Sequence, residues 1–320
     1  MTSTSTLSHP PAPAPEMLPR PVETDAVAFH RLPRALPHRS YWWRPLVTLA
    51  VSAAVYVVML LQMFVVILVL SLALPGAEPS AELLDPLNPI DQLLMLGMLA
   101  LMLPAVLVGT LAGYGRAGIV HSVAGRFRWG LMGRVALVVL PLYLVVNVGV
   151  DLVLAREEIV VPPLTLPVVL AWGIALVLGP LQAAGEEYVF RVLPMQAVGT
   201  WLRLPLLGIV LPVPLFVLGH GYEPLGQVEI ALFALLMGLL AWKTGGIEIP
   251  VLLHVANNWT LFAIAPLVPG ALEQGEVTVS GFLLAAVPTL LCTVGIWWWF
   301  SRRENLRLWE PRRGGGRGEA

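Results

Sequence analysis

The stretch PLVTLAVSAAVYVVMLLQMFVVILVLSLALPGA, residues 45–77, runs for 33 residues without one charged side chain. A helix of ~20 predominantly apolar residues crosses the hydrocarbon core of a bilayer, so this run spans with length to spare. In lipid the backbone must satisfy its own polar groups, which makes such an isolated run a helix. Seven more apolar runs follow, at about 91–113, 132–154, 164–200, 204–220, 227–243, 248–268 and 278–300, read on the same length criterion. Of the 320 residues 57% are hydrophobic and 12% are charged. Residues 46–300 hold 22 of the 39 charged side chains, and the 65 flanking residues hold the other 17. A soluble core has no use for eight such runs. The predicted fold is all-α, a polytopic membrane protein of about eight transmembrane helices over 45–301, spanning a plasma membrane.

The flanks read differently. Residues 1–44 carry eight prolines and five arginines, too little apolar surface to offset the entropy of ordering, and are predicted to form a disordered cytoplasmic tail. Residues 302–320 form a second cytoplasmic tail, ending in a similar PRRGGGRGEA. Basic side chains mark alternate connections: Arg116, Arg126 and Arg128, then Arg203, then Lys243. The intervening ones carry Glu78, Glu82 and Asp85, then Glu157 and Glu158 beside Arg156, then Glu223, then Glu273 and Glu276. The positive-inside rule therefore puts both termini in the cytoplasm. Pro205, Pro212 and Pro214 predict a kinked or partly unwound fifth span. No basic patch interleaved with aromatics suggests nucleic acid as a partner. The lone Cys292 excludes an intrachain disulfide and reads as a buried hydrophobe, and Gly109, Gly113 and Gly238 read as packing contacts.

Ionisable groups inside a span cost ~3 kcal/mol by insertion scales and so point to function. They gather in three places: Gly185-Glu186-Glu187-Tyr188-Val189-Phe190-Arg191, Phe216-Val217-Leu218-Gly219-His220 and His254-Val255-Ala256-Asn257-Asn258. Glu187 and Arg191 are four apart, share a helical face and can pair. Glu186 is turned about 100° away, which leaves its carboxylate free to act as a general base. His254 and Asn258 also share a face, able to hydrogen-bond an oxyanion or ligate a metal. A structural ion pair, a packed histidine and amides bonding neighbouring backbones are the bland alternatives. Asp151, Glu229 and Glu248 lie near span ends, where a wet location accounts for them.

EExxxR, FxxxH and HxxxN in this order, led by Gln182-Ala183-Ala184-Gly185, resemble the CPBP family of intramembrane proteases. That family includes the type II CAAX prenyl proteases and the bacteriocin-processing and self-immunity (Abi) proteins. The resemblance covers about 165–265 and implies that Glu186 activates water with help from His220. It implies His254 and Asn258 as oxyanion donors, with Glu187 and Arg191 shaping the site. It also implies a site opening to the cytoplasm and, where a divalent metal such as zinc is used, Glu186, His220 and His254 as its ligands. No HExxH pair is present. Straight-helix depth puts His220 toward the outer face and His254 nearer mid-depth. The expected partners are the lipid bilayer and a peptide or membrane-anchored protein substrate. Eighteen arginines against one lysine, without organelle signals, suggest a bacterial source, where a leader peptide or membrane protein is a better substrate than a prenylated one. A non-catalytic immunity or scaffold protein would have lost a motif residue. A transporter would spread its acids and histidines through both halves of the bundle.

Overall fold

A computed structural model describes residues 26–36, 42–74, 76–154 and 156–314. Seven helices among them are long and apolar enough to cross a membrane: α1 Arg44–Ala73, α2 Pro89–Tyr114, α3 Trp129–Val150, α4 Leu166–Trp201, α6 Pro224–Thr244, α7 Glu248–Leu267 and α8 Val279–Arg303. The remaining apolar run is α5, Pro205–Leu218, which is shorter. It breaks into Pro205–Val210 and Val213–Leu218 around residues 211–212. Pro212 and Pro214 each lack the N–H that a continuous helix needs, as the sequence leads one to expect. The protein is therefore all-α and multi-pass, with seven full-length spans and one shortened, broken one.

The three helices that carry the polar motifs, α4, α5 and α7, lie together, with α4 in contact with both others. α4 packs between α2 and α7, α3 covers the far side of α7, and α6 lies against α5, α7 and α8. Close approach is built from small residues, since lipid supplies no hydrophobic drive between helices. A Cβ on Gly109 would overlap Thr48 and Ser52 of α1, and one on Gly113 would overlap Thr48. On α4 a Cβ at Gly185 would collide with the Leu99 carbonyl of α2, so glycine there lets the motif segment sit against its neighbour. Cys292 is buried as expected.

The basic connections and the described segments next to both tails, residues 26–36 and 302–314, meet on one face. Val27–Ala28 (β1) pairs antiparallel with Arg313–Gly314 (β2). His30 Nε2 donates to the Arg203 carbonyl at 3.0 Å, and Arg31 Nη1 donates to Gly199 O at 2.7 Å. Ser122 bridges to Gly246, and Gly245, at φ 70°, takes the left-handed turn that ends α6. Lys243 Nζ donates to the carbonyls of Arg307, Leu308 and Glu310 at 2.9, 3.0 and 2.7 Å. Glu248 takes a two-pronged bond from Arg128, at 2.8 Å from Nε and 2.7 Å from Nη2, and is fully buried. The expected wet span end does not describe Glu248; it is a buried counterion. The side chain of Asp151 lies outside the described residues.

Two expectations about the tails need correction. Residues 26–36 are ordered against the bundle, because Phe29 and Leu32 are apolar anchors that bury completely or nearly so. Residues 302–314 likewise continue α8 and then dock through Lys243 and β2. The predicted disorder of residues 1–25, 37–41 and 315–320 falls outside the described residues.

Burial, reinforced by Arg31 and Arg313 and opposed by the bond to Arg203, holds the His30 imidazole below its ordinary pKa. His121 on the same face is lowered by burial against the pull of Glu248. The unfolded chain then binds more protons than the folded one, so stability is full above ~6.5 and falls as pH drops below it. The melting temperature in detergent is expected to fall from pH 7.5 to 5.5, and His30→Gln to flatten that slope; an unchanged slope removes His30 as its source.

Candidate active site

The site forms where α4 and α7 cross. Glu186 and Glu187 end the α-helical part of α4, and residues Tyr188–Val192 widen into a π turn before the helix resumes. Such one-turn π segments re-aim side chains and recur at functional sites. Here the wide turn still leaves Arg191 Nη2 3.3 Å from Glu187 Oε1, with both side chains buried. The Arg191 guanidinium lies over the Phe216 ring, 4.3 Å from its centroid. The pairing expected from the spacing of four is present.

His254 enters from α7 between the two carboxylates. Its Nδ1 donates to Glu187 Oε1 at 2.9 Å, while Nε2 stands 3.4 Å from Glu186 Oε2. The two glutamates thus flank one imidazole rather than pointing to separate places: a 100° step along α4 is wide enough to admit a ring from the next helix. Asn258, one turn beyond His254, donates through Nδ2 to His254 Nε2 at 3.0 Å and to Gln182 Oε1 at 3.2 Å. Gln182 Nε2 in turn donates to Glu186 Oε2 at 2.7 Å. This arrangement fixes the tautomer. With Nδ1–H given to Glu187, Nε2 is the acceptor, and both amide hydrogens of Asn258 are used.

Five of the six expected residues, Glu186, Glu187, Arg191, His254 and Asn258, therefore form one bonded cluster. His220 does not join it. It sits at the outer end of α5, where its Nδ1 donates to the Phe216 carbonyl at 2.8 Å, and it lines the same cavity of about 440 Å³. Phe216 explains its own place in the motif, since its carbonyl holds His220 while its ring supports Arg191. Two contributors were underweighted in the sequence. Gln182 sits four residues before Glu186, the helical spacing that signals contact. Glu229 lines the cavity with His220 and Tyr222, and only the fold reveals that.

The expected ligand trio does not fit a metal as these side chains stand. No group of three His, Cys, Asp or Glu among the described residues could hold an ion. Glu186 and His254 face each other, but Nε2 of His254 is engaged by Asn258 and His220 is tied to Phe216.

At the α4–α7 crossing of this multi-span bundle, two carboxylates, an imidazole and a guanidinium are buried together beside the half-buried Asn258 amide. Residues 167–260 match the family model described as Type II CAAX prenyl endopeptidase Rce1-like, a likeness confined to this segment. The match spans the three motifs that carry the sequence resemblance. No curated protein and no solved structure is significantly similar to the chain.

Proposed function

We propose that the protein hydrolyses a peptide bond within the membrane, with Glu186 as general base and no metal in the step. The observation that carries this reading is the bridge of contacts from Glu187 through His254 and Asn258 to Gln182 and Glu186. Glu186, Asn258 and His220 line the cavity, with His254 held behind them by Asn258, so a water in the cavity donates to the Glu186 carboxylate. As its oxygen attacks the carbonyl carbon, its proton passes to the Glu186 carboxylate. The oxyanion is met by an Asn258 Nδ2 hydrogen that turns to it from the Gln182 carbonyl, while the Glu187-anchored His254 ring keeps the amide in place. The C–N bond then breaks, its electron pair stays on nitrogen, and Glu186 returns the proton to that leaving amine. His220, with Nδ1 committed to Phe216, presents Nε2 to the cavity as a second acceptor that positions water. The substrate is a membrane-anchored or membrane-inserted polypeptide, as the family match supports.

The test is proteomics of protein termini in membranes carrying the wild type, Glu186→Gln or an empty vector at equal expression. New termini that require Glu186 support proteolysis and name a substrate. A phenotype that persists in Glu186→Gln, without any difference in termini, replaces the hydrolase by a binding protein. On the purified protein, 1,10-phenanthroline is expected to leave turnover unchanged; inhibition reversed by added zinc would restore the metal reading.

A further inference from the structure

The cavity before Glu186 has a direction. Leu84 of the α1–α2 connection, Tyr222 of the α5–α6 connection and Gln274 of the α7–α8 connection all line it. These connections are the acidic ones. They are tied into a rim by Gly221 N donating to Gln274 Oε1 at 2.6 Å and Glu223 N donating to Gly275 O at 3.1 Å. A second hollow of about 860 Å³ adjoins the first, sharing Leu84 and Leu272, and is lined by Glu82, Asp85 and Glu273. Among the described residues, neither hollow has a lysine or arginine in its wall, and none from the basic connections or the tails contributes to either.

In the other direction the described residues close the site. Between the site and the basic face lies a packed apolar layer that includes Phe29, Val120, Tyr188, Val192, Ala241 and Ile247, all buried. The buried Arg128–Glu248 pair and the β1–β2 ladder close over it. The basic face is the cytoplasmic one by the positive-inside rule.

We infer that a polypeptide reaches Glu186 and Asn258 from the face opposite the termini, so that the bond cut lies on the extracytoplasmic side of a membrane-anchored or exported chain. This is contrary to the cytoplasmic opening that the family resemblance implies. The substrate class rests on the hydrolytic reading above; the direction of access rests on the cavity alone. An extended segment entering this way passes a carboxylate-lined vestibule before it meets Glu186 and Asn258.

Substituted-cysteine labelling separates the two claims. In a Cys292→Ser background, which removes the one native thiol, Asn258→Cys probes the cavity floor and Gln274→Cys its rim. Trp309→Cys, at a side chain 73% exposed, probes the region of the Lys243 clasp on the basic face. A small membrane-impermeant methanethiosulfonate is expected to modify Asn258→Cys and Gln274→Cys in intact cells, and Trp309→Cys only after permeabilisation. Should Asn258→Cys fail to fold, Leu284→Cys, which lines the cavity outside the bonded cluster, takes its place. The reverse pattern overturns the proposal. So does a floor thiol that stays unreactive in intact cells while Gln274→Cys reacts, or Glu186-dependent termini that map to cytoplasmic segments. The expected labelling without any Glu186-dependent termini would remove the proteolytic reading and leave the direction of access standing.

Discussion

Glu186→Gln is expected to lower turnover by about 10²–10⁴-fold, the usual worth of a positioned general base, without loss of folded protein. Glutamine has the same shape, and its amide oxygen can accept the Gln182 Nε2 hydrogen that Glu186 Oε2 accepts at 2.7 Å. What it cannot do is take a proton from water. Single-turnover assays on the purified protein, paired with thermal unfolding of the same preparations, read both halves. Full turnover in the variant would sink the assignment of Glu186 as base. Loss of turnover with a large fall in melting temperature would assign it to structure instead.

The pairing of charges behind this prediction was visible in the sequence because helical spacing alone dictates it. Four residues separate Glu187 from Arg191 and His254 from Asn258, and in both cases the structure joins them. The break in α5 was equally legible, since proline removes a donor whatever surrounds it. Other features depend on what two distant segments do together. Nothing near Glu186 says that His254 would slot between it and Glu187, because that needs the crossing of α4 and α7. The docking of Phe29 and Leu32 was hidden by the prolines around them, which dominate any compositional reading. Glu248 looked like a wet span end until Arg128, 120 residues away, folded over it.

Arg191→Ala should cost about 3–5 kcal/mol, the penalty for stranding one member of a buried ion pair. Its guanidinium lies 3.3 Å from Glu187 Oε1, and both side chains are removed from solvent. The carboxylate left behind would keep only the imidazole of His254 as a partner, 2.9 Å away. A substantial drop in melting temperature is expected, along with lost activity, since a displaced Glu187 releases the His254 ring. The double variant Glu187→Gln/Arg191→Met removes both charges and should recover much of the stability while remaining inactive. Arg191→Lys should recover less than that pair, because a flexible ammonium replaces the planar group stacked on Phe216. Equal melting temperatures for Arg191→Ala and the wild type would show that the pair contributes nothing to the fold.

Lys243 gives the molecule a built-in reporter of its own opening. It is the only lysine in the chain, and all three of its ammonium hydrogens go to carbonyls of the segment beyond α8. A lysine-specific endoprotease therefore has one peptide bond to cut, and the native clasp hides the side chain it must recognise. The rate at which two fragments appear then tracks the population of molecules whose C-terminal segment has come away from α6.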